Sequence, residues 1–256
     1  MLSKTKIKII RSLDSKKSRN ETGLFITEGE KLVQELIDSH FNIEYIAGTE
    51  EWFGSYTNKN LLRCKEKEIV TQAELNKVSF LKTPQQVICL ASLPRYELDL
   101  DHFRDKLSLI LDNVQDPGNL GTILRAADWF GIENVICSKD TADAFNPKVI
   151  QATMGAICRV KVYYEDLDNI LMAVKKRGMP VYGTTLEGEN IYSASLASHG
   201  FIIMGNESKG INPAWLPKLD KQLFIPFYPG NKKRSESLNV AVATAIICAE
   251  FRRRCI

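Results

Sequence analysis

The chain has 256 residues, of which 44% are hydrophobic and 25% are charged, and its formal net charge is +3. This length allows one large domain or two smaller ones with an ample core, and the composition excludes an intrinsically disordered chain. The small net charge excludes a protein that is basic overall, so a nucleic-acid surface would have to be a local concentration of charge.

Cysteine and histidine give no support for a metal site or a disulfide framework. The six cysteines are scattered without a C-x-x-C pair, and the three histidines are far apart in the chain. We therefore expect no bound metal, and reduced, mostly buried thiols in a cytoplasmic protein. No membrane span is expected, because the late apolar run of residues 240–249 is too short, and the charged N-terminus is unlike a signal peptide.

The first 95 residues are predicted to form a small α/β unit. Residues 3–18 are typical of a basic helix, and EKLVQELIDSH is typical of an amphipathic helix. GLFITEG, NIEYIAG and QQVICLASLP are typical of strands, the last of them ended by Pro94. Residues 96–105 are rich in Asp and Glu, and we interpret them as a linker to a second domain over residues 106–256.

Basic residues are concentrated at the start of the chain. Residues 1–19 contain seven of them against one acid, Asp14, which gives a formal charge of +6. The seven are Lys4, Lys6, Lys8, Arg11, Lys16, Lys17 and Arg19. Such a patch suits RNA phosphates without reading sequence. The alternative is the solvated face of an amphipathic helix.

After residue 105, strands and helices alternate regularly. KLSLILDNV, ENVICS, VKVYYE, PVYGTTL, FIIMG and KQLFIPF are predicted strands. NLGTILRAADWFG, NPKVIQATMGA, LDNILMAVKKRG and SLNVAVATAIICAEFRRR are predicted helices. The alternation predicts an α/β fold, a mostly parallel sheet with helices on both faces. Ligands bind beyond the carboxyl ends of such strands, and here these ends are small or polar.

The common nucleotide motifs do not fit. Gly205 and Gly210 have the spacing of a P-loop, but Ile211 and Asn212 stand where its lysine and hydroxyl residue should follow. The fingerprint G-x-G-x-x-G follows none of the predicted strands. An ordinary NTPase or NAD enzyme is therefore disfavoured.

Three segments, each at a strand end, instead match one family in residue and order. They are NLGTILR, MGNESKGI and IPFYPGNKKRSESLNVAVA. Together they resemble the SpoU (TrmH-like) RNA 2′-O-ribose methyltransferases of the SPOUT superfamily, over residues of about 106–256. The N-terminal TGLFITEGEKLVQEL is similar, more loosely, to the substrate-binding domain that often precedes this fold.

The resemblance implies a C-terminal trefoil knot, bound S-adenosylmethionine and a homodimer whose second subunit completes the active site. It implies cofactor contacts, largely through backbone groups, at Thr184, Gly205, Ile225 and Leu238. It implies roles in substrate positioning and chemistry for Asn119, Arg125, Glu207, Ser237 and Asn239. Ribosomal RNA is the expected substrate. The alternatives are transfer RNA, or an inactive RNA-binding assembly factor that keeps the fold.

Arg125 is expected near the ribose 2′-hydroxyl, which must lose its proton before it attacks a methyl group. A guanidinium surrenders a proton reluctantly, so stabilisation of alkoxide charge is at least as reasonable a role as general base. Glu207 or an RNA phosphate is expected to orient Arg125. The missing Cβ of Gly205 is expected to let the backbone approach a ligand closely.

Other interpretations of these residues stay open. Asn119 is also suited to capping a helix, and Glu207 to pairing with Lys209. Ser237 and Asn239 suit the first turn of a buried helix. The loop of residues 231–236 is longer and more basic than in many relatives, and its Lys232, Lys233 and Arg234 suit either RNA phosphates or a solvated charge run.

Overall fold

The computed structural model describes residues 1–56, 59–228 and 237–254. The helices are α1 (Lys4–Ser12), α2 (Lys16–Thr22), α3 (Glu30–Asp38), α4 (Glu50–Ser55), α5 (Gln72–Val78), α6 (Pro117–Trp129), α7 (Pro147–Thr153), α8 (Leu167–Lys176) and α9 (Val240–Arg253). The strands are β1 (Leu24–Glu28), β2 (Ile43–Gly48), β3 (Glu66–Ile69), β4 (Val87–Ser92), β5 (Leu107–Leu111), β6 (Asn134–Ser138), β7 (Lys161–Glu165), β8 (Val181–Asn190), β9 (Gly200–Met204) and β10 (Lys221–Phe224).

The chain divides into two compact units, and neither is a single stretch of sequence. The first unit contains residues 1–95 together with 143–159, and the second contains residues 96–142 together with 160–256. The predicted domains, 1–95 and 106–256, remain a proposal about how the chain is organised. The structure departs from that proposal in two segments, described below.

The first unit is built on a four-stranded sheet in the order β1-β4-β2-β3. β4 is antiparallel to both of its neighbours, and β2 and β3 are parallel. α3 is amphipathic and buries four apolar side chains, Leu32, Val33, Leu36 and Ile37. A second apolar cluster brings Ile10 and Leu13 of the N-terminal segment together with Leu75 of α5 and Ile88 of β4. Each layer is therefore held by burial of one apolar face.

The N-terminal segment is two helices rather than the single predicted one. Residue 15 is extended and precedes α2 as its N-cap, and Gly23 ends α2 in the left-handed region at φ 68°. Ser15 makes no side-chain cap hydrogen bond, so the extended backbone at this residue marks the break between α1 and α2, and the left-handed Gly23 ends α2. The break matters because α2 brings Arg19 into the interior, where it is 1% exposed.

α7 belongs to the first unit, although this helix was predicted among the elements of the second domain. Its Val149 and Ile150 are buried, and the Nε2 of Gln151 donates to the carbonyl oxygen of Glu28 in β1 at 2.8 Å. Periodicity identified the helix but could not say which sheet its apolar face covers.

The second unit contains an all-parallel six-stranded sheet in the order β10-β8-β9-β5-β6-β7, which confirms the mostly parallel sheet predicted. Every residue of β5 and β9 is buried, so both faces of these central strands are covered. α8 packs on one face through Leu167, Ile170 and Leu171, and α6 packs with α9.

The predicted linker is part of the second unit. Leu100 and Phe103 are buried in its core, with Tyr96 and Leu98 packed against them. Their neighbours are acidic and exposed, so the segment resembles a linker in composition. The interpretation of residues 96–105 as a plain connector was therefore wrong, because composition averaged over the segment hides its two apolar anchors.

Candidate active site

The carboxyl ends of β5, β8, β9 and β10 lie at one edge of the second sheet, because these strands are parallel neighbours. The edge includes Asn113 after β5 and the loop of residues 205–210 after β9. The first turns of α6 and α9 contribute to the same site, as the following contacts show. The polar residues grouped by the three motifs therefore meet in space.

α6 begins immediately after β5, at Pro117. Asp116 is its N-cap, and its Oδ1 accepts a hydrogen bond from the backbone nitrogen of Asn119 at 2.7 Å. The cap is therefore Asp116, not Asn119, and this leaves the Asn119 side chain available for other contacts. A carboxylate at a helix N-terminus also suits the helix dipole.

Asn239 is the N-cap of α9. Its Oδ1 accepts hydrogen bonds from the backbone nitrogens of Ala241 (3.0 Å) and Val242 (3.3 Å). Its amide nitrogen must therefore point the other way, and it donates to Oδ1 of Asn119 at 2.9 Å. Capping thus fixes which end of the Asn239 amide faces the site.

The Asn119 amide connects Asn239 to Glu207 through one hydrogen bond at each of its ends. Since Oδ1 of Asn119 accepts from Asn239, its Nδ2 faces the carboxylate and donates to Oε1 of Glu207 at 3.0 Å. Nδ2 of Asn206 lies 3.4 Å from the other oxygen, Oε2. Within the described residues Glu207 has no ion pair, so the alternative pairing with Lys209 is not found there.

The loop of residues 205–210 closes on itself. The backbone nitrogen of Asn206 donates to the carbonyl of Gly210 at 3.0 Å, and the nitrogen of Gly210 donates back at 2.9 Å. A Cβ built on Gly205 would lie 2.2 Å from the carbonyl carbon of Gly210. The loop's own backbone therefore already requires glycine at 205, and the close approach of a ligand to Gly205 stays a prediction.

Arg125 is exposed on α6, six residues beyond Asn119. Its guanidinium makes no hydrogen bond or ion pair with any described residue. The expectation that Glu207 orients it was wrong for a single chain, because both oxygens of Glu207 face asparagine amides instead. Arg125 is a cation without a partner within the described chain.

The residues expected to contact the cofactor differ in their surroundings. Thr184 is partly buried, and its hydroxyl donates to the carbonyl oxygen of Ile203 at 3.0 Å. Ile225 is partly exposed just after β10, and Leu238 is 52% exposed just before α9. Ser237 is exposed. The structure therefore leaves apolar side chains open at this edge and engages the Thr184 hydroxyl within the sheet.

The predicted basic patch is smaller in the folded chain. Arg19 is a correction: it is buried, paired with Asp143, and its Nη1 donates to the carbonyl oxygens of Leu13 (2.7 Å) and Asp14 (2.8 Å). It is therefore not available to RNA. Lys6 is paired with Glu66 and Glu68, so little of its charge is left for phosphates.

Three basic residues remain on one face of α1, spaced i, i+4 and i+7, and all three are exposed: Lys4, Lys8 and Arg11. Lys16 and Lys17 of α2 are also exposed, with Lys17 3.9 Å from Glu21. The remaining predicted RNA contacts, Lys232, Lys233 and Arg234, lie outside the described residues.

The remaining expectations concern metal binding and membrane insertion. Across residues 1–56, 59–228 and 237–254, no group of three His, Cys, Asp or Glu side chains is placed to hold a metal ion. Within those same ranges, none of the helices has both the length and the apolar composition needed to cross a membrane.

Sequence reasoning missed three residues of this edge, namely Asn113, Asp116 and Asn206. A cap signal was present for Asp116, since an aspartate before proline is typical of a helix start. Asn113 has a positive φ of 57°, which asparagine tolerates better than most residues. Nothing in the sequence indicated that the Asn206 amide contacts the loop after β5.

Two family models match the chain. Residues 106–249 match the SpoU rRNA methylase family, and residues 4–89 match the MRM3-like substrate binding domain. Both matches fall in the regions that the motifs had indicated.

Individual relatives agree with these models. The chain is 34% identical over 248 residues to the 23S rRNA (guanosine(2553)-2′-O)-methyltransferase RlmP of Bacillus subtilis, covering 96% of each chain. Its structure is similar to an RNA methyltransferase of the TrmH family from Porphyromonas gingivalis, with a TM-score of 0.89, 37% identity and 99% of each chain covered. It is also similar to an AdoMet-bound rRNA methyltransferase from Sinorhizobium meliloti, with a TM-score of 0.85 and 28% identity. The match covers 100% of this chain and 98% of that one.

Proposed function

The chain belongs to the SpoU rRNA methylase family, and from that membership we propose that it methylates a ribose 2′-hydroxyl of ribosomal RNA with S-adenosylmethionine as donor. The observation that supports this most directly is the hydrogen-bonded set of Asn239, Asn119 and Glu207 at the sheet edge. An inactive assembly factor would require neither this hydrogen-bonded set nor an exposed Arg125 that has no partner among the described residues.

The residues at this edge fit the cofactor. Leu238 and Ile225 expose apolar surface where a nucleoside would need cover, and the backbone of residues 205–210 is open to solvent on its outer side. Backbone groups and apolar side chains are the usual lining of such sites. When bound, S-adenosylmethionine supplies a methyl group on a sulfonium, which needs no further activation.

The chain itself must hold the attacking ribose oxygen in line and stabilise the charge that develops on it. Glu207 and the two asparagines provide fixed acceptors and donors for the nucleotide. Arg125 provides a full positive charge that no described residue neutralises, and its fork geometry suits an alkoxide or a phosphate. In this proposal it stabilises the alkoxide, and proton loss is to solvent or a phosphate oxygen.

The second subunit brings Arg125 to the site of its partner. Support comes from two exposed apolar side chains of the second unit: Trp129 is 84% exposed at the end of α6, four residues beyond Arg125, and Val242 is 49% exposed in the first turn of α9. Single apolar residues at a surface are ordinary, but two large ones on packed helices favour an interface. The trefoil knot is part of this proposal. Residues 229–236 lie outside the described residues.

The first unit binds the RNA in this proposal, through the face of α1 with Lys4, Lys8 and Arg11. At a rise of 1.5 Å per residue these side chains are spaced by about 6 Å and about 10 Å along the helix, a spacing that suits successive phosphates. Phosphate contacts position the RNA, and the second unit then selects the nucleotide.

The experiment uses the full chain, S-adenosylmethionine labelled in its methyl group, and separately transcribed 23S, 16S and transfer RNA. We expect label in ribosomal RNA, resistant to alkaline cleavage at one position. Arg125→Ala should lower turnover by about 10²-fold, the typical cost of a lost preorganised charge contact, with cofactor affinity unchanged by calorimetry. Arg125→Lys should restore only part of the lost turnover, because the lysine ammonium is a point charge and lacks the planar fork of the guanidinium.

Label in transfer RNA alone would reject ribosomal RNA as the substrate and keep the reaction. No label in any RNA, together with intact RNA binding, would support the assembly-factor alternative. An Arg125→Ala protein that methylates at the parental rate would reject the role given to this arginine.

A further inference from the structure

Asn206 uses both ends of its side-chain amide. Its Oδ1 accepts hydrogen bonds from the backbone nitrogens of Ser208 (3.0 Å) and Lys209 (3.1 Å). These two N–H groups fix the oxygen, so Nδ2 must face away from the turn. The orientation of the amide is therefore set by the backbone of its own loop.

The nitrogen of that amide reaches a second loop. Nδ2 donates to the carbonyl oxygen of Asn113 at 2.7 Å. That carbonyl is itself held, because Asn113 has a left-handed backbone and its nitrogen donates to Oγ of Ser138 at 2.9 Å. The same Nδ2 lies 3.4 Å from Oε2 of Glu207. Asn206 thus connects the loop after β9 to the loop after β5 and faces the carboxylate of its neighbour.

We infer that Asn206 is a positioning residue for Glu207, an inference that rests on the proposed function. Glu207 has one oxygen held by Asn119 and the other beside Asn206. Without Nδ2 of Asn206, the loop would lose its bond to the end of β5, and the carboxylate could rotate away from Asn119. Asn206 does not touch the reacting atoms in this inference. It acts through Glu207.

The substitution Asn206→Asp distinguishes the role of the amide oxygen from that of the amide nitrogen. An aspartate keeps an oxygen for the nitrogens of Ser208 and Lys209, so the turn is retained. It removes the donor to Asn113 and places a second carboxylate beside Glu207. We expect turnover to fall by about 10-fold or more, the cost of a hydrogen bond to a charged group, while the cofactor affinity changes little. The midpoint of thermal unfolding should fall modestly, because the carbonyl oxygen of Asn113 loses its donor.

Asn146→Asp is the matched control, since Oδ1 of Asn146 also accepts from a backbone nitrogen, that of Lys148 at 2.8 Å, and the residue belongs to the first unit. It should retain parental turnover and KM for RNA. A loss of cofactor affinity in Asn206→Asp that matches its loss of turnover would overturn the inference, because the residue would then serve the loop rather than Glu207. Parental turnover in Asn206→Asp would overturn it as well.

A double-mutant cycle of Asn206→Ala with Glu207→Gln tests whether Asn206 acts through its neighbour, because alanine removes the amide without placing a second carboxylate beside Glu207. Single-turnover rates of the parent, both single variants and the double variant should be strongly non-additive, because the second change removes an interaction already lost. Additive losses would refute the inference. If the Glu207→Gln rates fall below detection, the same cycle on the free energy of unfolding measures the coupling, and zero coupling refutes it.

The same measurements separate this inference from the proposed function. A parent chain that methylates no RNA contradicts the proposed function, while the unfolding cycle still tests the contact between Asn206 and Glu207. A parent that methylates, with uncoupled variants, contradicts only the inference.

Discussion

Three asparagine side chains in the site have orientations that backbone N–H groups decide. The N-cap bonds of Asn239 turn its amide nitrogen toward Asn119, and the turn after Asn206 does the same for that residue. Asn239 in turn orients Asn119, so Glu207 accepts from two donors with directions fixed in advance, the amide nitrogens of Asn119 and Asn206. Such an arrangement requires no rearrangement of the protein when charge develops nearby.

Two arginines of the N-terminal segment show how differently one residue type is used. Arg11 is exposed on α1, whereas Arg19 is buried on α2 and paired with Asp143. In the sequence both belong to one basic run. Only the break between α1 and α2 separates an exposed charge, which we propose to face RNA, from a structural one.

We predict that Arg19→Gln destabilises the first unit by roughly 3–5 kcal/mol, because Asp143 is left without its partner and two backbone carbonyls lose a donor. The salt dependence of RNA binding should not change. Denaturant unfolding and binding titrations at several salt concentrations measure the two effects.

Arg11→Gln is the matched control and should show the reverse. Its stability should stay within about 0.5 kcal/mol of the parent, as for most surface substitutions. Its RNA affinity should depend less steeply on salt, by about one counterion. A flatter salt slope in Arg19→Gln would contradict the buried role assigned to Arg19.

At the scale of elements, the end of α9 is held by its three arginines. Arg252 donates to the carbonyl oxygens of Phe130 (2.7 Å) and Gly131 (3.0 Å), just beyond α6. Arg253 and Arg254 both bind Glu250, which is 5% exposed. These side chains satisfy carbonyls and a buried acid, so they are not expected to contact RNA.

This cluster predicts a pH dependence of stability. Hydrogen bonds from Arg253, together with those from Arg254, lower the pKa of Glu250 to about 2 against the usual 4.5. A lowered folded pKa contributes stability that is complete above pH 4.5 and is lost as the pH falls from there toward 2. The Glu250→Gln variant should therefore lose less unfolding free energy than the parent over this pH range.

Unfolding by urea at about pH 6 and about pH 3 measures the difference. Glu44→Gln is a suitable control, since Glu44 is also paired, with Lys65 at 2.7 Å, but near the surface. If the parent and Glu250→Gln lose the same free energy between the two pH values, the acid is not stabilised as described.

The elements predictable from sequence were those whose pattern is decided locally. β5 and β9 are long apolar runs, and α8 has a regular helical period, so each was identified near its observed bounds. β3 was missed because EKEI is a charged, mostly exposed edge strand without alternation. α5 has a capping box at Thr71 and Glu74, a signal that was present in the sequence and not used.

Several residues of the candidate site could be predicted from the sequence, but the hydrogen bonds between them could not. Asn119, Glu207 and Asn239 could be named because each lies in a motif at a strand end. Which amide end faces which partner depends on backbone N–H groups of other elements, and the sequence does not specify these. For the same reason the sequence did not show that Glu207 contacts asparagine amides, rather than Arg125, within one chain.

At the scale of the whole molecule, the proposed homodimer predicts a defined effect of surface charge. Val242→Glu should give a monomer, because a charge would be buried in the interface between copies. Its methylation should fall with the loss of the dimer, and the isolated chain should remain folded. Sedimentation at several concentrations and circular dichroism measure the two properties.

Met172→Glu is the matched control, since Met172 is 57% exposed on α8, on a different helix of the same unit. It should keep the oligomeric state of the parent. A Val242→Glu protein that stays dimeric, or a parent that is monomeric at all concentrations, would contradict the proposed interface.

The division of the chain into interleaved segments has a consequence for its synthesis. A growing chain that has emerged through residue 95 lacks α7, and it also lacks Asp143, the partner of Arg19. The first unit therefore cannot complete its core when its own leading segment leaves the ribosome, as domains made of one contiguous stretch do. It must wait while β5, α6 and β6 of the other unit emerge. An exchange of RNA-recognition parts between relatives meets the same obstacle, because a graft of residues 1–95 alone would leave both Arg19 and the apolar face of α7 without their natural partners.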